Sequence, residues 1–420
     1  MWKHEAQPHI FQADLREGME EIKSGVEFSR RDFLKSAFLA GAGWLLNSCS
    51  ASGSQSQERM ISLAPSSQRL YVGTYTNGNA EGVYLYHHDP ASGTLLQVSQ
   101  SPAGANPSFL ALHPNGRYAY AVNELAEFQG KPGGAVSALA MDSETGSLSL
   151  LNQRPSGGTY PCHLAIDRTG RWLFVANYGS GTLAVYPIES SGSLGAATDV
   201  IQHHGSGLDP VRQDGPHAHA VNVSPDNRFL LACDLGIDKV LVYRMDLENG
   251  KLISHAETGF PPGSGPRHLD FHPNGTFVYV ISELKTTLTA FRYDSEAGGL
   301  DELQTISTLP EDYSGEQSGA EVLVHPSGKF VYCSNRGQSN SLAIFAADES
   351  TGRLTLVGTT STHGRTPRNF AIDPNGRFLV TANQDSGTLA SFSVNTQTGD
   401  LGFLETANVP SPACLKFAPG

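Results

Sequence analysis

Charged side chains are scarce in this sequence, at 16% of 420 residues, and the body of the chain has no block rich in lysine and arginine. The formal net charge is −13. Without a basic stripe to neutralise a phosphate backbone, nucleic acid is not expected as a partner. Cysteine is rare too: Cys49, Cys162, Cys233, Cys333 and Cys414, with no C-x-x-C pair among them. That spacing offers no zinc site. The last four lie far apart inside strand-like runs and are read as buried free thiols rather than disulfides. What is abundant is glycine (45) and proline (24), which suits many short strands joined by tight turns. The length alone suggests two or three domains, unless the fold is a repeat architecture.

The first 50 residues read differently. In "SRRDFLKSAFLAGAGWLLNSC", Arg30 and Arg31 precede Phe33, Leu34 and Lys35, and an apolar stretch runs from Ala37 to Leu46. It is about half the ~20 residues a membrane span needs, so it reads as the apolar region of a signal segment. The order S-R-R-x-F-L-K resembles a bacterial twin-arginine export signal, with 1–48 as the signal segment. "LNSC" resembles a lipoprotein cleavage site with Cys49 as the lipidated residue, although Asn47 departs from the small residue usual there. The expected location is therefore outside the cytoplasm, periplasmic or anchored through a lipid, which is the one expected contact with a membrane. The alternative is an amphipathic N-terminal helix on a cytosolic protein. The 28 residues before "SRR" make a long leader, and Met19 is a second candidate start. Residues 49–68 are rich in serine and glutamine and read as a flexible tether.

From Arg69 onward the chain repeats. A turn recurs at His113 ("HPNGRYAYAVNE"), Asp167, Ser224, His272 ("HPNGTFVYVISE"), His325 and Asp373. Its Pro-Asn-Gly chemistry reverses the chain between two strands. A run of aromatic and β-branched residues follows, then a third strand such as "GTLAVY", then a turn such as "SETGSL" or "ESTGRL". About four short strands per unit of roughly 50 residues make a propeller blade. Six turns are complete. A seventh is split between "PACLKFAPG" at the end and "RLYVGTYT" after the tether. The expectation is an all-β, seven-bladed propeller over 69–420, closed by N- and C-terminal strands in one blade. Two stacked β-sandwiches are the alternative.

The period acts as a ruler. Five residues before each turn stand Ser108, Cys162, His219, Arg267, Ala320, Arg368 and Ala413; the next positions are Phe109, His163, Ala220, His268, Glu321, Asn369 and Cys414. In a propeller the first strand of each blade lines the channel and the second returns to the same rim. Eleven residues after the turn stand Glu124, Tyr178, Leu235, Glu283, Arg336 and Gln384. Two polar rings thus meet at one channel mouth, the default candidate site. The residues before the second ring, Asn123, Asn177, Asp234, Ser282, Asn335 and Asn383, are expected to be structural, with the asparagines capping turns. His217 and His219 stand two apart, but a metal would need a third ligand and a supporting shell, so no metal is expected. His217 falls before the ring and shapes the entrance. His203 and His204 lie in a long loop, read either as solvated histidines or as part of a lid.

The segments "GPHAHAVNVSPD", "GSGPRHLDFHPNG", "ISEL", "GAEVLVHPSGKFVYCSNRG" and "TPRNFAIDPNGRFLVTANQDS" resemble the propeller-type lactonase family, which contains bacterial 6-phosphogluconolactonase and the fungal enzyme that cyclises carboxymuconate. The resemblance spans about Arg69 to Gly420. In the cyclising members a histidine, an arginine and a glutamate are proposed to carry the chemistry, and they match His219, Arg267 and Glu283. Lactone hydrolysis needs a base for water and a donor for the oxyanion. His219 or Glu283 suits the first, Glu283 could instead orient the histidine, and Arg267 suits the second. His163, His217, His268, Glu321, Arg336, Arg368 and Asn369 complete the expected substrate-binding set. The resemblance implies a monomeric hydrolase acting on a small anionic lactone or sugar acid, with no cofactor. A lactone-forming cycloisomerase and a non-catalytic propeller binding a ligand or a protein are the alternatives. Because 6-phosphogluconolactone arises in the cytosol, an exported enzyme is expected to meet a different lactone.

Overall fold

The computed structural model describes residues 67–76 and 78–418. The signal-like segment, Met19, Cys49 and most of the expected tether lie outside the described residues. Among the described residues no helix is long and apolar enough to cross a membrane.

Seven four-stranded antiparallel sheets account for nearly all regular structure. The fourth blade is representative. Its strands are Pro266–Phe271, Phe277–Ser282, Thr287–Tyr293 and Leu300–Ser307, paired in chain order. Their sequences differ because their surroundings differ. The second strand, FVYVIS, is buried throughout. A strand covered on both faces carries a continuous apolar run rather than an alternation. The fourth strand, LDELQTIS, is outermost and carries only intermediate and exposed positions.

The ring closes as the split repeat predicted. The seventh blade is Pro412–Phe417 from the C-terminal end, followed by Gln68–Thr74, Val83–His88 and Leu95–Ser101. Leu70 pairs with Phe417 and Val72 with Leu415, so the two ends of the domain hold each other. The first of these strands begins at Gln68, one residue before the expected boundary.

Apolar clusters cross from blade to blade. Phe277, Tyr279 and Ile281 of the fourth blade pack with Val322, Val331 and Phe345 of the fifth. Burying one such side chain contributes roughly 1.5–3 kcal/mol. The turn between third and fourth strands supplies a second contact. Gly250 and Gly352 adopt φ of 64° and 73° and lie against the rings of Trp172 and Phe277 in the preceding blades. A side chain there would need both a strained backbone and space the aromatic ring already fills. Cys162, Cys233, Cys333 and Cys414 are all free and buried.

Candidate active site

A backbone device aims the channel-lining residues. In the second blade Pro161 pairs with Asn177 and His163 with Ala176, so Cys162 is an extra residue in the ladder. The same bulge makes His219, Arg267, Arg368 and Ala413 the extra residues of their blades. In the fifth blade the ladder is likewise interrupted between Gly319 and Val322, across Ala320 and Glu321. Consecutive strand residues ordinarily face opposite ways; a bulge re-aims one of them. Arg267 and His268 therefore both stand on the cavity wall. The loop entering the strand is bent to suit. Tyr160, Gly265, Thr366 and Ser411 hold φ of 51°, 63°, 58° and 44° immediately before the proline.

Glu283 is the electrostatic centre of the mouth. Its Oε2 accepts from Arg267 Nε at 3.0 Å and lies 2.8 Å from Arg336 Nη2, while its Oε1 accepts from Arg212 Nη2 at 2.5 Å. Arg267 is 1% exposed and also donates through Nη1 to the carbonyl of Ala320 at 2.6 Å. Burial alone would raise the Glu283 carboxyl, but Arg336, Arg212 and Arg267 outweigh it and hold the group well below the usual carboxylate range. Burial, with Arg336 and Arg368 beside it, pushes Arg267 down to about 10, so it stays a cation at neutral pH. A carboxylate this stabilised is a poor proton acceptor; it serves as an anchor for three guanidiniums.

Beside this cluster stand three buried imidazoles. The ring of His268 lies 5.0 Å from that of His163 and 5.1 Å from that of His219. Burial first, then Arg267, holds His219 and His268 well below the ordinary imidazole value. Burial and the neighbouring His268 do the same to His163. All three are neutral at pH 7. His268 Nδ1 lies 2.9 Å from Glu321 Oε1. Glu321 also accepts from the Val322 N–H at 3.0 Å and from Asn369 Nδ2. Arg336 Nη2 donates to the Gly319 carbonyl at 3.0 Å.

A small, partly open cavity lies among these groups, lined by Ser108, Phe109, Glu124, Cys162, Arg267, His268, Arg368, Asn369 and Ala413. Glu124 accepts from Tyr75 Oη at 2.7 Å and from Ser108 Oγ at 2.6 Å. Arg368 stands 5.3 Å over the Tyr75 ring. Its guanidinium makes no hydrogen bond to a described residue.

Arg267, His268, Arg368 and Asn369 thus share the cavity wall. His163, His219, Glu283, Glu321 and Arg336 touch or adjoin those four. His217 is different: it stacks on Tyr178 at 4.5 Å, with Nδ1 2.9 Å from the Tyr178 carbonyl and Nε2 3.2 Å from Asp214, and it does not line the cavity. His203 is not a solvated loop histidine. It is 3% exposed and pairs with Asp234 at 2.6 Å, which ties the loop down; His204 is exposed. Asn177, Asn335 and Asn383 each donate through Nδ2 to a carbonyl of an adjacent loop, Ser156, Thr308 and Thr362.

Two contributors escaped the sequence reading. Tyr75 is the seventh member of the second-strand ring, which the ruler reaches only when carried across the split blade. Arg212 lies in a loop outside the repeat register, so no spacing points to it. Gln213 staples that loop through bonds to Leu208, Asp209, Leu235 and Asp238.

Residues 69–417 match the model of the family described as lactonase, 7-bladed β-propeller. The chain is 36% identical over 348 residues to the 6-phosphogluconolactonase of Bacillus subtilis, covering 83% of this chain and 97% of that one. It is 35% identical over 337 residues to a 6-phosphogluconolactonase of Formosa agariphila, covering 79% and 94%. Among solved structures, the periplasmic gluconolactonase of Pseudomonas aeruginosa superposes with a TM-score of 0.80 at 36% identity, covering 84% of this chain and 99% of that one. A seven-bladed ring closed by strands from both ends of the domain, with the family match running over residues 69–417, makes this chain a member of the seven-bladed β-propeller lactonase family.

Proposed function

We propose that the protein hydrolyses a small sugar-derived lactone at this mouth. The observation that carries the reading is Arg267, a fully buried cation held by Glu283 and the Ala320 carbonyl on the wall of the cavity, beside neutral imidazoles. Arg267 donates to the lactone carbonyl oxygen and stabilises the charge that develops there when water adds. A preorganised donor of this kind contributes on the order of 10²–10³ in rate. Glu283 keeps Arg267, Arg336 and Arg212 in place. Proton transfer falls to a histidine, because Glu283 is too well stabilised in its ionised form. Both His219 and His268 are neutral and close to Arg267. Every role is filled by a side chain.

The substrate of this reading is anionic. Four guanidiniums, Arg212, Arg267, Arg336 and Arg368, meet three carboxylates at this mouth, Glu283, Glu124 and Glu321, and Arg368 makes no hydrogen bond to a described residue. A net positive mouth on a chain of net charge −13 draws in a carboxylate or a phosphate, and a guanidinium fork suits either. The likeness to a periplasmic gluconolactonase and the twin-arginine-like segment together support action outside the cytoplasm, with Cys49 as a lipid anchor. Fractionation of cells expressing the full chain tests this: Cys49→Ala is expected to move the protein from the membrane to the soluble periplasmic fraction.

The purified 69–420 domain is to be assayed against glucono-1,5-lactone, 6-phosphogluconolactone and carboxymuconate. Ring opening of one or both sugar lactones above the spontaneous rate is the expected result. Cyclisation of carboxymuconate alone, or turnover of none, overturns the reading.

A further inference from the structure

We propose that His268 is the group that takes the proton of the attacking water, with Glu321 and Asn369 as its positioning residues and His219 confined to binding. This rests on the lactone-opening reading above.

The argument is a chain of hydrogen bonds whose directions fix one another. The Leu415 N–H donates to Asn369 Oδ1 at 2.8 Å. That sets the flip of the Asn369 amide and leaves Nδ2 to donate to Glu321 Oε2. The Val322 N–H donates to Glu321 Oε1. Burial raises the Glu321 carboxyl, with Lys416 and Arg267 opposing it; two N–H donors already meet its oxygens, and we take it as the ionised carboxylate that such donors favour. In the remaining bond, to His268 Nδ1, the histidine is therefore the donor. A neutral imidazole has one N–H, so Nε2 of His268 carries the lone pair. The two ring nitrogens point away from each other. With Nδ1 turned toward Glu321 of the fifth blade, Nε2 lies on the opposite side of the ring.

That Nε2 is buried and has no hydrogen-bond partner among the described residues, on a residue that lines the cavity. A buried acceptor left unmatched costs roughly 1–3 kcal/mol and calls for a reason. A water held against it beneath the lactone carbonyl is such a reason. The other two imidazoles are built differently. His163 Nδ1 accepts from the Val221 N–H at 3.3 Å, so its proton is on Nε2 and that atom is a donor. Among the described residues the His219 ring meets only Cys162 Sγ, at 4.0 Å, at hydrogen-bond range. No carboxylate sets its tautomer.

In the step, a water O–H bond breaks, the new C–O bond forms at the lactone carbonyl, and the proton passes to His268 Nε2. The carbonyl oxygen becomes an oxyanion at Arg267. Collapse re-forms the carbonyl and breaks the bond to the ring oxygen, which takes the proton back from Nε2–H. One water is consumed and one hydroxy acid formed, with no other reactant.

Two experiments test this. In ¹⁵N-histidine-labelled wild-type protein, assigned by loss of the signal in His268→Gln, Nε2 of His268 is expected to resonate as a non-protonated nitrogen at pH 7. A proton on Nε2 overturns the proposal whether or not a lactone is turned over. On the lactone that wild type opens, His268→Ala is expected to lower kcat by about 10²–10⁴-fold with KM nearly unchanged. Glu321→Gln is expected to lower kcat roughly 10–100-fold, again at constant KM, and His219→Ala to raise KM more than it lowers kcat. Folding is checked by circular dichroism. If folded His268→Ala keeps kcat within threefold, or His219→Ala alone abolishes kcat, the assignment is wrong while the lactonase reading stands. A wild type that opens no lactone fails that reading instead.

Discussion

At the rim where the first strand of each blade turns into the second, three blades repeat one contact. His113, His272 and His325 each place Nε2 within 2.7–2.9 Å of the carbonyl of Gly170, Gly328 and Gly376 in the next blade. In each, Nδ1 accepts from a backbone N–H two residues on, so the proton sits on Nε2 and the latch has one direction. In the two rings that face the cavity at the opposite mouth, no two neighbouring blades present the same side chain. The difference has an electrostatic cause. A contact between one blade and the next can recur around the ring without the copies meeting. Residues that converge on the axis all face one another, and seven like charges there would repel. A charged mouth has to break the repeat, and it does so by setting Glu283 among Arg212, Arg267 and Arg336.

The most severe way to break this contrast is Arg267→Ala. It removes the proposed oxyanion donor and takes away the Arg267 bond to the Ala320 carbonyl. We expect kcat/KM to fall by about 10³-fold or more in steady-state hydrolysis of the preferred lactone. Arg267→Lys should recover little, because an ammonium cannot reproduce a fork that reaches a carboxylate and a carbonyl together. At the other rim His272→Ala should do the converse. Losing one buried latch costs about 1–3 kcal/mol, read as a fall of several degrees in Tm, with kcat and KM unchanged. An activity change there would show that the two ends are coupled.

The pH profile sharpens the same contrast. Burial, Arg267, Arg368 and Lys416 all disfavour the His268 imidazolium, while Glu283 and the Glu321 carboxylate at Nδ1 favour it. The balance lowers its pKa, so the base stays deprotonated below the ordinary imidazole value of 6.5. The acid limb of kcat/KM should therefore fall well below pH 6.5, with loss as pH drops. A limb centred at 6.5 or above would mean that the working histidine is solvated.

How far the sequence reaches follows from the same two ends. The fold was legible because the turn recurs, and the split seventh unit predicted that N- and C-terminal strands share one blade, as Leu70 pairing with Phe417 shows. The two rings could be counted out because each blade keeps its register. The count could not reveal the bulge that lets Arg267 and His268 share a wall, since a bulge inserts a residue without a residue-type signature. Nor could it give Glu283 its role. Which of several charges it meets depends on the distance between blades, and sequence spacing does not encode that distance. His203 read as solvated because it lies in a polar loop; only the fold brings Asp234 to it.

Arg212 tests the part of the site that the repeat does not build. It reaches Glu283 from a loop between the second and third blades, with Tyr178 Oη 3.4 Å away. Its side chain is 39% exposed, against 2% for that of Arg267, so solvent screens much of its pairing. Glu283 keeps two other arginines when Arg212 is removed. Arg212→Ala should therefore leave Tm nearly unchanged and lower kcat/KM only about three- to tenfold, mostly through KM and more at low salt than at 0.5 M. An effect as large as that of Arg267→Ala would mean that the loop, rather than the ring of blades, positions the arginine proposed to be catalytic.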